Sequence, residues 1–527
     1  MQSKYRFLSM AAAAALLLAP ALHAKTFKWT SQSEVGSWDI HTQNISLQNG
    51  LHAYVYESLV YYNSRTFAVE PALASSWKEI SPTQVRFALR PDVKFHDGSA
   101  FSADDAVFSL QRAMARTSAF ALFAQGIGKV VKVDSRTIDI FLSAPNPVLL
   151  RQLTELRIMS RSWAQKNQSL DPKELTSTEE NFAHRNAMGT GPYMLESWQP
   201  DVKMVFKRNP HWWGTMEGDV SEMVYLPIKS AATRIAALLS GEVDMVLDPA
   251  PQDLARLRAN PEMKVVDGLE FRTILLGMDQ FREELPGSNI QGRNPLKDVR
   301  VRRALYQAID AEAIARSIMR GLGRPNGTLV APMVAGYTEA VGKRLPYSVE
   351  AAKKLLAEAG YPDGFEVDFA CPNNRYINDE AICQAVTAMW SRVGVRARLR
   401  TLPLVSYFPM VKRYEASIYM LGWGVATFDA LNGLQSLVRT KGESSVDGNN
   451  NMGRYSHPRM DYLVDRIKVE TDAPVRARML TEALQLSNDT VSHIPLHDQV
   501  IPWAMKRNVD LVHRADNRVD IRMVRVN

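Results

Sequence analysis

Apolar and polar positions divide this chain into short strands and amphipathic helices. Val85, Phe87 and Leu89 alternate with Arg86, Ala88 and Arg90, the period-two pattern of a half-exposed strand. Ser102, with Asp105 three residues on, then opens a helix through a capping box, and Val107, Leu110 and Met114 form its buried stripe. Residues 130–142 predict a hairpin, and 52–59 a helix before the aromatic pair Tyr61 and Tyr62. Helical stripes follow over 231–239, 299–319 and 349–359, stopped by Gly241, Gly321 and Gly360. Strands at 365–369 and 395–399 enclose a helix over 379–391, the strand–helix–strand order of an α/β unit. Asp472 and Pro474 start a late helix to Leu486, and a change of composition at Asp267-Gly268 marks the start of a new unit.

One stretch joins these signals: Leu421-Gly-Trp-Gly-Val-Ala-Thr-Phe-Asp-Ala-Leu431. The apolar run from Ile418 to Leu421 predicts a strand buried on both faces, and Leu431, Leu434, Gln435 and Val438 lie at helical spacing. The turn between them is at the carboxyl end of a buried strand, where α/β sheets place ligands. Trp423, between Gly422 and Gly424, offers an indole face beside uncovered backbone. Asp429 is the only acid between Glu415 and Glu443. A purely structural reading also stands, with Trp423 in the core and Asp429 favoured by the helix dipole.

The amino terminus changes the setting. Residues 1–24 combine a basic start at Lys4 and Arg6 with an apolar run and small residues, the pattern of a cleaved export signal. Cleavage after Ala24 is preferred over Ala21, and it lowers the formal charge from +7 by the two cations removed. No later run is apolar enough to span a bilayer. Of the 527 residues, the 503 that remain after a 24-residue leader suggest about three domains, and 46% hydrophobic residues can build sizeable cores. The pI of 9.2 raises nucleic acid as a partner, but export argues against it. Arg300, Arg302 and Arg303 read as the solvated start of a helix capped by Asp298. Cys371 and Cys383, the only cysteines, are close in sequence and in an oxidising compartment, so a disulfide is expected, with free thiols as the alternative.

The block from Trp77 to Ala113, with Val93-Lys-Phe-His-Asp-Gly-Ser at its centre, resembles the family 5 solute-binding proteins of bacterial ABC importers. The likeness continues through Gly189-Thr-Gly-Pro-Tyr193, Ser240-Gly-Glu-Val-Asp244, Val299-Arg-Val-Arg-Arg-Ala-Leu305, Leu355-Leu-Ala-Glu-Ala-Gly-Tyr361 and Gly422-Trp423. It implies an α/β fold: a two-lobed periplasmic binding protein clamp (type II, cluster C) with an additional inserted α/β domain. Lobe one would collect 25–60, 189–270 and 493–527; the insert 61–188; lobe two 271–492. The chain would cross between lobes near 268–273 and 492–496. The implied function is a periplasmic receptor that closes on a short peptide or peptide-like solute and delivers it to permease subunits in the inner membrane. A monomer is expected, with no cofactor, no nucleic acid and no stable membrane insertion.

The resemblance also places site residues. The family's ligand-carboxylate cation falls at Arg375, followed by Tyr376, and a guanidinium suits a carboxylate. The aspartate that holds the ligand amine in peptide-binding relatives is replaced here by Ala426, which leaves Asp429 or another acid for an amine, or a ligand without one. The expected ligand site is therefore Trp423, Arg375, Asp429, Tyr376, Gly422 and Gly424. A nickel–metallophore complex or an acidic opine- or sugar-like solute is the alternative; His493 and His497 are four apart, but Pro495 breaks any helix between them. A remote alternative is a serine hydrolase, on Ser75-Ser-Trp-Lys78, whose companion motifs are missing.

Overall fold

Two long strands, Met263–Met278 and His493–Lys506, pair antiparallel and carry the large sheet of the molecule. The computed structural model describes residues 25–174, 179–442 and 447–527, so the expected leader is outside the described residues. At one end of the pair, Met245–Leu247 joins His493–Lys506, followed outward by Thr26–Ser31, Glu222–Pro227, Lys203–Arg208 and Tyr193–Gln199. At the other end, Ile418–Gly424 joins Met263–Met278, followed by Glu366–Pro372 and Arg396–Leu402. With Gly323–Pro325 on His493–Lys506 this makes 11 strands, one sheet whose two halves grow from opposite ends of a shared pair. This is the two-lobed clamp.

Each half has its own core. In the first, Phe27, Trp29, Trp38, Tyr225 and Trp503 pack together. In the second, alternation along the strands separates two cores: Ile274, Leu276, Ile418 and Met420 face one way, and Leu275, Tyr419 and Leu421 the other. Ile494 and Leu496 belong to the first of these two, with Ile274 and Leu276. A separate antiparallel sheet runs Ala74–Ser81, Gln84–Leu89, Thr137–Leu142, Ile127–Asp134, and the helix Ala103–Ala113 packs on it around Phe87, Phe101, Leu110 and Ile138. The Ser102–Asp105 capping box starts that helix, with the Asp105 carboxylate accepting from Ser102 N at 2.9 Å. Among the described residues no helix is long and apolar enough to cross a membrane.

Several elements differ from expectation. The helix expected over 52–59 lies at Ser46–Val55, because Tyr56 is already extended and Ser58 bridges to Arg157. The single helix expected over 299–319 is broken: Val299–Gln307 ends, Asp310 caps a new start through Ala313 N at 2.8 Å, and the turn Ile314–Ile318 is π-helical. Asp298 does cap the first piece, but Arg302 is not solvated. It is buried and donates to the carbonyls of Leu296, Lys297, Thr490 and Val491, the loose ends of neighbouring helices. Cys371 and Cys383 are disulfide-bonded, tying the end of Glu366–Pro372 to the helix Asp379–Ser391.

Candidate functional site

The ladder between the two long strands is irregular where the halves meet. Leu269 pairs with Val500 and Thr273 with Asp498, so Glu270, Phe271 and Arg272 face Gln499 alone. That irregularity turns polar side chains into the junction. The buried Glu270 accepts from Gln499 Nε2 at 2.8 Å and from Arg272 Nε at 3.2 Å. Arg272 also donates to the Gly422 carbonyl at 3.4 Å, on the strand carrying Trp423. From the first half, Asp248 follows the strand Met245–Leu247 in a left-handed conformation and accepts from Asn517 at 3.0 Å. Burial, with Glu270 nearby, pushes its carboxyl up to about 6.

Arg375 approaches the same band from the second half. Its backbone N–H and that of Tyr376 donate to Asp379, which fixes the loop before the helix Asp379–Ser391. The guanidinium lies 5.1 Å from the Tyr376 ring centroid and has no hydrogen-bond or carboxylate partner among the described residues. Solvent reaches the residue, yet protein atoms crowd the guanidinium, and this desolvation, reinforced by Arg272, lowers its pKa. An unpaired cation beside a second cation is a place where an anion gains on binding.

The glycines beside Trp423 do not bare the backbone. A Cβ on Gly422 would lie 2.5 Å from Tyr376 Cε1, and one on Gly424 would lie 2.6 Å from Phe271 Cε2, so the protein's own rings fill both spaces. Tyr376 is buried there, its hydroxyl donating to the Gly422 carbonyl at 3.4 Å. Trp423 is half-buried and its indole N–H donates to Asn432 at 3.1 Å, which fixes the ring over the turn that follows. Asp429 is elsewhere. It is buried in a bidentate pair with Arg476, at 2.6 and 2.9 Å, and caps Leu431 N at 3.1 Å. Its charge is already met within the second half by Arg476.

The turn between Trp423 and Asp429 is also held from outside its own half. Arg151 of the inserted domain donates to the carbonyls of Thr427 and Phe428, at 2.9 and 3.1 Å. Phe428 packs among Tyr62, Phe67 and Phe271, with ring centroids 4.4 to 5.4 Å away. Sequence reasoning missed this contact and the Glu270–Arg272 band. The available signal was a Glu-Phe-Arg triplet just before the apolar run Ile274-Leu-Leu-Gly-Met278.

His493 and His497 are buried in the strand His493–Lys506, and burial lowers both to about 4. Among the described residues no three His, Cys, Asp or Glu side chains converge as metal ligands. Ser75 lies on a strand and donates to the Ala88 carbonyl at 3.2 Å instead of opening a helix.

Comparison with known proteins agrees with this architecture. Heme-binding protein A of Haemophilus influenzae is 28% identical over 478 residues, 86% of this chain and 83% of that protein. The dipeptide-binding protein of Escherichia coli is 26% identical over 502 residues, 90% and 89% of the two chains. The crystal structure of a dipeptide-binding protein from a Pseudoalteromonas species, solved with Met-Leu, matches with a TM-score of 0.78 at 19% identity, covering 95% of this chain and 100% of that one. The model of the family's middle region matches residues 68–445. With that span matched and the two-lobed sheet in place, the chain belongs to the bacterial extracellular solute-binding proteins, family 5.

Proposed function

We propose that this protein is the exported capture component of an ABC importer, closing its lobes on a short peptide or peptide-like solute and presenting the closed form to the permease. The observation that carries the ligand class is Arg375, an unpaired guanidinium at the junction, suited to a carboxylate. Asp248 supplies the complementary charge from the first lobe. Both groups lie within electrostatic reach of the same Glu270–Arg272 pair. A ligand with a carboxylate at one end and an amine at the other then links one lobe to the other, and linkage favours closure. Asp248 takes the amine role that neither Ala426 nor Asp429 fills.

We place the hinge at residues 270–272 and Gln499. On this division residues 493–498 go with the second lobe, where Ile494 and Leu496 pack, and the boundary moves a few residues past 493. The receptor works as a monomer in the periplasm, without a cofactor. The relatives that bind dipeptides support the peptide reading.

The test is calorimetric titration of a dipeptide panel against the wild type, Arg375→Ala and Asp248→Asn. Truncating a buried charge partner of the ligand removes about 2–5 kcal/mol of binding. An unchanged affinity in the arginine variant rules out the carboxylate reading. Ala426 in the family's aspartate position favours a second reading, an acidic solute without an amine. Loss of binding in Arg375→Ala with none in Asp248→Asn selects it.

A further inference from the structure

A cavity of about 430 Å³ opens between the first lobe and the inserted domain. Its lining residues fall at 50–72, 90, 154–157, 192, 212–217 and 514–522, so the second lobe contributes none of them. Most of its charges are already matched. Arg518 pairs with Glu155 at 2.8 Å, Arg522 with Asp520 at 2.6 Å, Arg514 with Asp516 at 2.6 Å, and Glu217 with Arg65 at 2.8 Å. Glu57 is buried and accepts from three neutral donors: the indoles of Trp212 and Trp213, at 3.2 and 3.0 Å, and Thr190 at 2.8 Å.

Two arginines remain. Arg90 lies 4.1 Å over the Trp213 ring and, among the described residues, its side chain donates only through Nε, to the Ala72 carbonyl at 2.6 Å. The Arg157 guanidinium has no hydrogen-bond or ion-pair partner among the described residues, and desolvation lowers it to about 10. Desolvating a cation without a partner is costly, and an anion in the cavity would offset that cost. Arg90 and Arg157 against Glu57 leave one net positive charge, which favours a monoanion over phosphate. The size of the cavity and its aromatic wall of Tyr61, Trp212 and Trp213 call for an organic body on that anion.

We propose that this cavity is a second ligand site for a small aromatic monocarboxylate, its carboxylate on Arg157 and its ring against Tyr61, Trp212 and Trp213. Because the second lobe supplies no wall, the site fills without lobe closure.

The probe is sodium benzoate, titrated calorimetrically into the full mature chain, with inorganic phosphate as the comparison anion. One benzoate should bind per chain and phosphate should not compete. Arg157→Gln should weaken benzoate by about tenfold or more, as expected for loss of a charged partner. Should Arg157→Gln fail to fold, wild-type protein is treated with phenylglyoxal and the modified arginines are mapped by mass spectrometry. Protection of Arg157 by benzoate supports the site. The proposal is overturned by any of three results: no benzoate binding, equal binding in Arg157→Gln, or displacement by phosphate.

Discussion

Replacing Asp498 by Asn should make the protein more stable at neutral and alkaline pH, although a native buried side chain is changed. Asp498 is buried on the strand His493–Lys506 beside the junction, where Thr273 Oγ1 and Asn326 Nδ2 donate to it at 2.7 and 2.8 Å. Among the described residues no cation pairs with it, and burial raises its carboxyl from 3.8 to about 7. In the unfolded chain the proton leaves near 3.8; in the folded protein it stays until about 7. Between these values unfolding releases a proton, so stability falls as pH rises and levels off above about 7. Three pKa units correspond to about 4 kcal/mol, an upper bound on the effect. Asn keeps the oxygen that accepts both hydrogen bonds and never ionises. Urea denaturation of both proteins from pH 4 to pH 8 reads the difference, in which all other titrations cancel. The two should agree near pH 4 and separate progressively, with the variant ahead by up to about 4 kcal/mol at pH 8. Parallel profiles, or a variant less stable at pH 8, would show that Asp498 is charged in the folded protein and would refute the reasoning.

Asp429→Ala leaves Arg476 buried without its partner and should cost about 3–5 kcal/mol of stability in denaturation, and Asp429→Leu with Arg476→Met should recover part of it. Wild-type stability with lost ligand binding in Asp429→Asn would return Asp429 to the ligand. Gly422→Ala puts a Cβ against Tyr376 and should destabilise by about 1–3 kcal/mol while weakening ligand binding through the displaced Arg375 loop; unchanged thermal unfolding contradicts the packing described here. Cys371→Ser with Cys383→Ser opens a loop with a sequence separation of 12 and should cost about 3 kcal/mol, and wild-type protein, denatured unreduced, should show no titratable thiol.

What was legible in the sequence was local. The alternation at 85–90, the Ser102–Asp105 box and the apolar strand before Trp423 depend on neighbours within a few residues, and the structure has all three. Contacts between distant residues were not legible. Asp429 looked isolated because its partner, Arg476, is 47 residues away on another helix. Gly422 and Gly424 suggested bare backbone because nothing nearby announces that Tyr376 and Phe271 fill the space. Arg302 looked solvated from its charge, yet the carbonyls it meets come from helix ends almost two hundred positions apart in the chain. The Glu270–Arg272 band arises from a register irregularity between strands more than two hundred residues apart, which no periodicity within either strand encodes.

The central claim is that the interlobe junction takes a peptide-like carboxylate through Arg375. Its most direct test is mass spectrometry of the solute released on denaturing protein purified from cells, wild type beside Arg375→Ala. The wild type should release a short peptide or peptide-like acid, one per chain, and the variant should release none. A released compound without a carboxylate, or equal retention by the variant, would contradict it.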